Sequence, residues 1–263
     1  MFSKKNKELK NKVKNLTIYI VLRISVILIL ILQIFNKNFE NVFMCILTLI
    51  LFTIPLFINK KFKIELPDVL EGIILLFIFS AEILGNVQNF YGIFKSWDTM
   101  LHTINGFLCA AIGFSLIDIL NRNPNVHMKL TPIFVALVAF CFSMTIGVLW
   151  EFFEFGMDKY LLKDMQKDRI ISDISSVNFN EEETNRTSIL KDVYKTEIYS
   201  LKDGKNIVTT IDGGYLDIGI NDTMKDLFVN FIGAIIFSII GILYIKDRDG
   251  YKFAENFIPK SRE

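Results

Sequence analysis

Three groups of polar residues in this chain have the types and spacings for site chemistry. Asp98 and His102 are four apart, so on a helix they share a face. Glu151, Glu154 and Asp158 fall at i, i+3 and i+7, and Asp222, Asp226 and Asn230 at i, i+4 and i+8. Carboxylates with one imidazole are ligands for a divalent cation. In a partly dry place they also suit acid–base work, because crowding raises one carboxyl while another stays ionised. An enzyme built on them would perform metal-assisted or acid–base hydrolysis or transfer. His102, Asp98, Glu151 and Asp226 are the catalytic candidates. His102, Glu151 and Asp226 are the candidate metal ligands. Glu154, Asp222, Asn230 and Glu82 are the candidate supporting and binding residues. No phosphate-cradling Gly loop, G-x-S-x-G elbow or H-E-x-x-H is present.

A plainer account competes. Acidic residues at the ends of apolar runs often just sit in the headgroup zone, and Asp222 and Asp226 near a helix start favour its dipole. Taken singly, each residue reads as structural. Three same-face groups at one depth favour a site, because ionisable groups near hydrocarbon are costly and mark function or pair with each other. His102 is the best single candidate. The other histidine, His127, falls in a loop between spans.

The elements that position these groups are apolar. The chain has 263 residues, 52% hydrophobic, with 25 Phe, and a mean hydropathy of +0.41. Six runs approach the about 20 residues that a helix needs to cross hydrocarbon: Leu16–Phe35, Val42–Ile58, Leu66–Gly85, Leu101–Leu120, Thr131–Phe152 and Asp226–Ile245. The expected fold is an all-α membrane protein, a six-helix bundle. The net charge of +1 hides an asymmetry. Lysines crowd residues 1–15, and Lys60, Lys61, Lys63, Arg122, Lys129 and the residues after Ile245 add to one side. The short loops opposite offer Lys37 and Lys95. Basic residues stay on the cytoplasmic side, which places both termini on the cytoplasmic side of a bacterial cytoplasmic membrane. The three polar groups and Glu82 then meet at the outer leaflet. The first apolar run is too long for a cleaved signal and lacks a small-residue cut site, so it reads as an anchor.

Five segments follow: a basic cytoplasmic tail (1–15), the first five spans (16–158), an insertion (159–221), the last span (222–245) and a second cytoplasmic tail (246–263). The insertion is polar. Within it, Thr196–Leu201 and Asn206–Ile211 flank Lys202-Asp203-Gly204-Lys205, a hairpin signal. Arg169–Phe179 is a further strand candidate, so this segment is expected to be a small β-rich flap outside the membrane. Glu181, Glu182 and Glu183 read as a solvated turn. Arg23 has Asp68 or Glu71 as expected partners, or snorkels. Trp97 and Trp150 fit an interfacial aromatic belt. Cys45, Cys109 and Cys141 lie inside the runs and read as small packing residues, with no disulfide framework. Gly106, Ala110, Gly113, Gly147 and Gly233 allow close helix packing. Below the polar groups the last three spans read as largely apolar, which argues against an ion-coupled transporter. No basic stripe with interleaved aromatics suggests nucleic-acid binding.

The ordered set Trp97-Asp98-x-x-Leu101-His102-x-x-x-Gly106-Phe107, Trp150-Glu151-x-x-Glu154 and Asp222-Thr223-x-x-Asp226-x-x-x-Asn230-x-x-Gly233-Ala234 resembles the YjdF-like (DUF2238) family of bacterial membrane proteins. More distantly it is similar to the VanZ-like group. The resemblance spans Glu82 to Ala234 without most of the insertion. Glu154 stands where VanZ-like proteins tend to show an amide, and the insertion is longer than their loop. The resemblance implies a multi-spanning bacterial membrane protein. It is consistent with membrane lipids and an amphiphilic, lipid-linked or glycopeptide-like envelope ligand as partners. A carrier and an assembly protein with a polar packing network are the competing classes.

Overall fold

The computed structural model describes residues 2–61, 64–122, 129–182 and 184–261. His127 and Glu183 lie outside them. The chain divides into two compact units. One comprises Met1–Val148 with Asp226–Glu263, and the other Leu149–Lys225.

The first unit is built on long helices. Helix α1 runs Phe2–Phe35, so the lysine-rich start is helical and continuous with the first apolar run. Helix α2 (Phe39–Leu51) begins at Asn38, whose side chain accepts the Asn41 N–H, satisfying an orphan donor. The expected second span carries a turn within one apolar run, Phe39–Lys61. Pro55 has no N–H to give to the preceding turn, and the chain turns at Phe52–Thr53 before α3 (Ile54–Lys61). Strand β1 is Ile64–Glu65. Helix α4 (Asp68–Phe79) starts after Pro67 with Asp68 and Glu71 in its first turn, where their charge suits the helix dipole. It runs directly into a π-helix, Ser80–Val87. After α5 (Phe90–Ile93) come α6 (Trp97–Arg122) and α7 (Pro132–Leu161). Pro132 opens α7 where its missing N–H costs nothing, and Thr131 Oγ1 accepts the Phe134 N–H.

Helix α8 (Ile220–Lys246) closes the helical set. Among the described residues, five helical runs are long and apolar enough to cross a membrane: Leu16–Phe35, Phe39–Lys61, Trp97–Arg122, Pro132–Leu161 and Ile220–Lys246. Most of their surface-facing residues are Ile, Leu, Val and Phe, as expected of faces that meet lipid tails instead of water.

Glycines set the α6–α8 contact. A Cβ on Gly106 would run into the Asn230 carbonyl, and one on Gly233 into the Thr103 carbonyl. Small residues give this close backbone approach, as the sequence suggested. Below it lies an aromatic layer. Phe107 packs edge-on against Phe237, Phe114 against Phe237, and Phe114 against Tyr244.

The residues after α8 fold back instead of trailing away. A turn at Asp247–Gly250, with Gly250 N–H bonded to Asp247 Oδ1, leads to a short 3-10 helix at Lys252–Asn256. Ala254 and Ile258 are buried with Phe114 and Phe237, and Phe257 meets Phe107 edge-on at 5.3 Å. Strand β8 (Lys260–Ser261) then pairs antiparallel with β1. The loop after α3 and the C-terminal segment therefore share one end of the unit.

The second unit carries the strands. Strand β2 (Arg169–Ile171) pairs with β7 (Tyr215–Asp217), and β3 (Ile174–Ser176) with β4 (Ser188–Leu190). Strands β5 (Lys195–Lys202) and β6 (Lys205–Asp212) form the hairpin in the expected register, Thr196 opposite Ile211 and Leu201 opposite Asn206. Asp203 and Gly204 both have positive φ, 51° and 73°, the turn whose twist matches the strands. Glu181 and Glu182 are exposed in a turn.

Candidate functional site

The first turns of α6 bring Asp98 and His102 onto one helix face, and α8 brings Asp226 beside them. His102 Nε2 lies 3.4 Å from Asp98 Oδ1 and 3.9 Å from Asp226 Oδ2. One ligand atom from each residue falls within 4.8 Å of the others. The side chains are 24%, 12% and 2% exposed respectively. The Asp226 carboxylate is therefore almost wholly withdrawn from solvent, and Asp98 keeps an open edge. Ligand atoms about 2.1 Å from a tetrahedral ion stand about 3.4 Å apart. The observed separations need small side-chain adjustments to enclose one ion. An imidazole and two carboxylates fit Zn, Mn or Fe(II), and leave further positions for water or a ligand.

The layer beneath is polar too. Asn105, one turn below His102, donates its amide to Asn230 Oδ1 at 3.0 Å. Asn230 is one turn below Asp226 and almost fully buried. Its own amide lies 3.6 Å from Met144 Sδ, close to Gly147. Ser143 Oγ donates to Gly106 O at 2.8 Å. The expectation of a largely apolar interior below the polar groups is corrected here. Asn105 is only partly exposed, and Asn230, Ser143, Ser115, Ser238 and Asp118 are buried. The serines bond backbone carbonyls, the two asparagines bond each other, and Asp118 is held by arginines, so the interior can hold them.

Asp118 escaped the sequence reading. It is 1% exposed, and it binds Arg122 Nη2 at 2.7 Å and Arg248 Nη2 at 2.8 Å. Its signal was the i, i+4 spacing to Arg122. The second arginine comes from beyond α8 and could not be paired by spacing.

Glu82 lies in the π-helix, 1% exposed, and accepts from Asn86 Nδ2 at 3.2 Å. Trp97 donates its indole N–H to Ser80 O at 3.3 Å and packs edge-on against Phe90. It ties the π-helix to the start of α6, beyond the belt role expected of it. Arg23 stacks over the Tyr19 ring at 4.7 Å. Cys45 is buried, Cys109 half-buried and Cys141 exposed.

In the second unit, Glu151 and Glu154 are buried, and Glu154 Oε1 accepts the Trp150 indole N–H at 2.8 Å. Asp158 caps the following loop through the Met165 and Gln166 N–H groups, at 2.6 and 2.8 Å. Asp222 binds Arg169 Nη2 at 2.8 Å and the Lys167 N–H at 2.9 Å. These two carboxylates anchor the strand-bearing segment to its flanking helices. Asp168, in the same loop, has its carboxyl pushed up by partial desolvation and by Asp164, Asp158 and Asp217, with Lys167 opposing.

Such a site on such helices defines a polytopic membrane protein with a buried polar centre. The chain belongs to the DUF2238 family of predicted membrane proteins, whose model matches residues 18–247. No curated protein and no solved structure matches it.

Proposed function

We propose that this protein binds a divalent cation between α6 and α8, and that the ion's open positions engage an amphiphilic cell-envelope ligand, such as a lipid-linked or glycopeptide-like molecule. The observation that carries this reading is the placement of His102 Nε2 within 3.4 and 3.9 Å of two carboxylate oxygens from different helices. Asp98, His102 and Asp226 are the ligands. Within the same unit Asn230 and Glu82 support the site. On its spacing in the sequence alone, Glu151 is proposed as a further ligand or acid–base group, with Glu154 and Asp222 as supports. The topology that goes with it has six spans in a bacterial cytoplasmic membrane. Residues 68–87 form the third, both termini are cytoplasmic, and the β-bearing insertion lies outside. The loop after α3 and the C-terminal segment lie at one end of the first unit, which supports that orientation.

The buried Asn105–Asn230 pair favours one further reading, an ion-coupled carrier, because it extends polarity one turn inward. The backbone approach at Gly106 and Gly233 opposes it, since it leaves no passage between α6 and α8 there. The test is metal analysis of the gently purified full chain beside a His102→Ala, Glu151→Ala double variant. One equivalent of a transition metal in the parent and none in the variant is expected. A parent that neither retains nor rebinds zinc or manganese would sink the reading. Glu151-dependent flux into proteoliposomes would support the carrier instead.

A further inference from the structure

At the end of the first unit opposite the cation site, two arginines converge on one buried carboxylate. Arg122 closes α6, and Arg248 follows α8 by two residues. Asp118 accepts from Arg122 Nη2 on one oxygen and from Arg248 Nη2 on the other, and Arg248 Nη1 adds a 3.4 Å contact. The Tyr244 ring lies 4.7 Å under the Arg248 guanidinium and fixes its plane. Asp118 is 1% exposed, whereas the arginine side chains are 48% and 34% exposed. The carboxylate therefore holds both guanidiniums, Arg122 Nε adds a 3.4 Å contact to the Asp118 carbonyl, and both arginine side chains stay partly exposed. Two positive charges on one negative leave one positive charge at a fixed place.

The depth of this pair follows from length. Helix α6 has 26 residues, about 39 Å at 1.5 Å each, against about 30 Å of hydrocarbon. With Trp97 and Asp98 at one interface, Arg122 stands at the other, among headgroups. The same end gathers other cations. Lys60 and Lys61 end α3, and β1 after them pairs with β8. Asn121 bonds Leu130 at both its N–H and its carbonyl, which holds Lys129 nearby in the chain.

We infer that Arg122 and Arg248 form a binding site for the headgroup phosphate of an anionic lipid. The guanidinium fork matches a phosphate's oxygens with paired hydrogen bonds, and an anionic leaflet concentrates such ligands at a basic surface. A bound phosphate bridges the end of α6 to the root of the C-terminal segment. Lipid then braces the fold-back that carries Phe257 and Ile258 into the core. The inference does not depend on the cation site, so either can fail alone.

The test uses the full chain in detergent, with phosphatidylglycerol binding read by native mass spectrometry and by melting temperature. Phosphatidylcholine and inorganic phosphate serve as the other arms. Phosphatidylglycerol is expected to remain bound and raise the melting temperature. Arg122→Gln is expected to weaken binding about five-fold. That variant leaves Asp118 paired with Arg248, so it keeps the core ion pair. Adding Arg248→Gln removes the effect, whereas Lys60→Gln with Lys61→Gln, an equal loss of charge, leaves it. Undiminished lipid binding by Arg122→Gln overturns the inference. So does an equal loss from the lysine variant, which would mean bulk attraction only. Stabilisation by inorganic phosphate as large as that by the lipid makes this a free-anion site and overturns it too.

Discussion

Gly106 of α6 stands so close to Asn230 of α8 that a methyl group on it would meet the Asn230 carbonyl. Asp226 lies one turn before Asn230, and His102 one turn before Gly106. The glycine contact therefore sets the separation at which imidazole and carboxylate face each other. Gly106→Leu forces these backbones apart, and overpacking of this kind costs about 1–3 kcal/mol or more. The expected result is a lower melting temperature with loss of metal binding in the same variant. Gly156, on α7, has nothing within 4 Å of a built Cβ. Gly156→Ala is expected to leave both measurements unchanged or to stabilise slightly, by up to about 1 kcal/mol.

The amide pair below can be apportioned by a double-mutant cycle. Asn105→Leu leaves Asn230 Oδ1 without its 3.0 Å donor, and an unsatisfied buried acceptor costs about 1–3 kcal/mol. Asn230→Leu does the same to Asn105. The double variant is expected to cost less than the sum of the two, because the residues share one bond. Strict additivity in thermal or denaturant unfolding would mean that the bond contributes nothing.

Helix positions, the Asp203-Gly204 hairpin and the small-residue packing of α6 were legible because each rests on local periodicity or turn chemistry. The same-face grouping of Asp98 with His102 was legible for that reason too, and the placing of Asp226 near them followed from parallel directions of α6 and α8. What spacing could not reveal came from long-range contacts. Asn105 has no polar residue three or four positions away within α6 to mark it other than His102, three positions before it. Its role appears only when Asn230 arrives from 125 residues away. Arg248 looked like one more basic tail residue until the chain folded back onto Asp118. Pro55 was visible, yet the turn before it at Phe52–Thr53 was not anticipated, because the apolar run continues through it.

The Asp118 ion pairs should behave as a latch on the C-terminal segment. Asp118→Ala leaves Arg122 and Arg248 without their shared acceptor. Loss of a fully buried partner costs about 3–5 kcal/mol, and the partial exposure of both arginines reduces this to about 1–3 kcal/mol. Phe257→Ala empties an edge-on contact with Phe107 and should cost a similar amount. Limited proteolysis is expected to cut near Asp247–Asn256 faster in both variants than in the parent. Unchanged cleavage in both would mean that neither contact holds the segment.

The loop between α7 and β2 should soften as pH rises. Asp168 is pushed up by desolvation and by Asp164, Asp158 and Asp217. The raised carboxyl means that the folded loop holds this proton more tightly than the unfolded chain does. Stability from this group is therefore present below its unfolded value and lost as pH climbs through the folded one. Asp168→Asn removes the repulsion and is expected to slow amide exchange in residues 162–169 at pH 8, with no change at pH 3. Because the side chain is exposed, the effect is small, within about 0.5 kcal/mol.

The ligand set itself is open to a spectroscopic prediction. Cobalt(II) placed in a site with an imidazole and two carboxylates absorbs more intensely the fewer ligands surround it, so its visible spectrum reports coordination number. Asp226→Asn and Asp98→Asn are each expected to weaken cobalt and zinc binding at least about 10-fold, by analogy with the losses seen even for outer-shell partners. Asp226, the more buried carboxylate, should show the larger loss, because water cannot easily replace it at 2% exposure. Binding should weaken on acidification, since imidazole and carboxylates must give up their protons to coordinate. Glu151→Gln separates the two roles proposed for it. A changed cobalt spectrum identifies a ligand, and an unchanged spectrum with unchanged metal affinity rules that role out. A parent spectrum that survives both aspartate substitutions would place the metal elsewhere and leave His102, Asp98 and Asp226 as a charge network between α6 and α8.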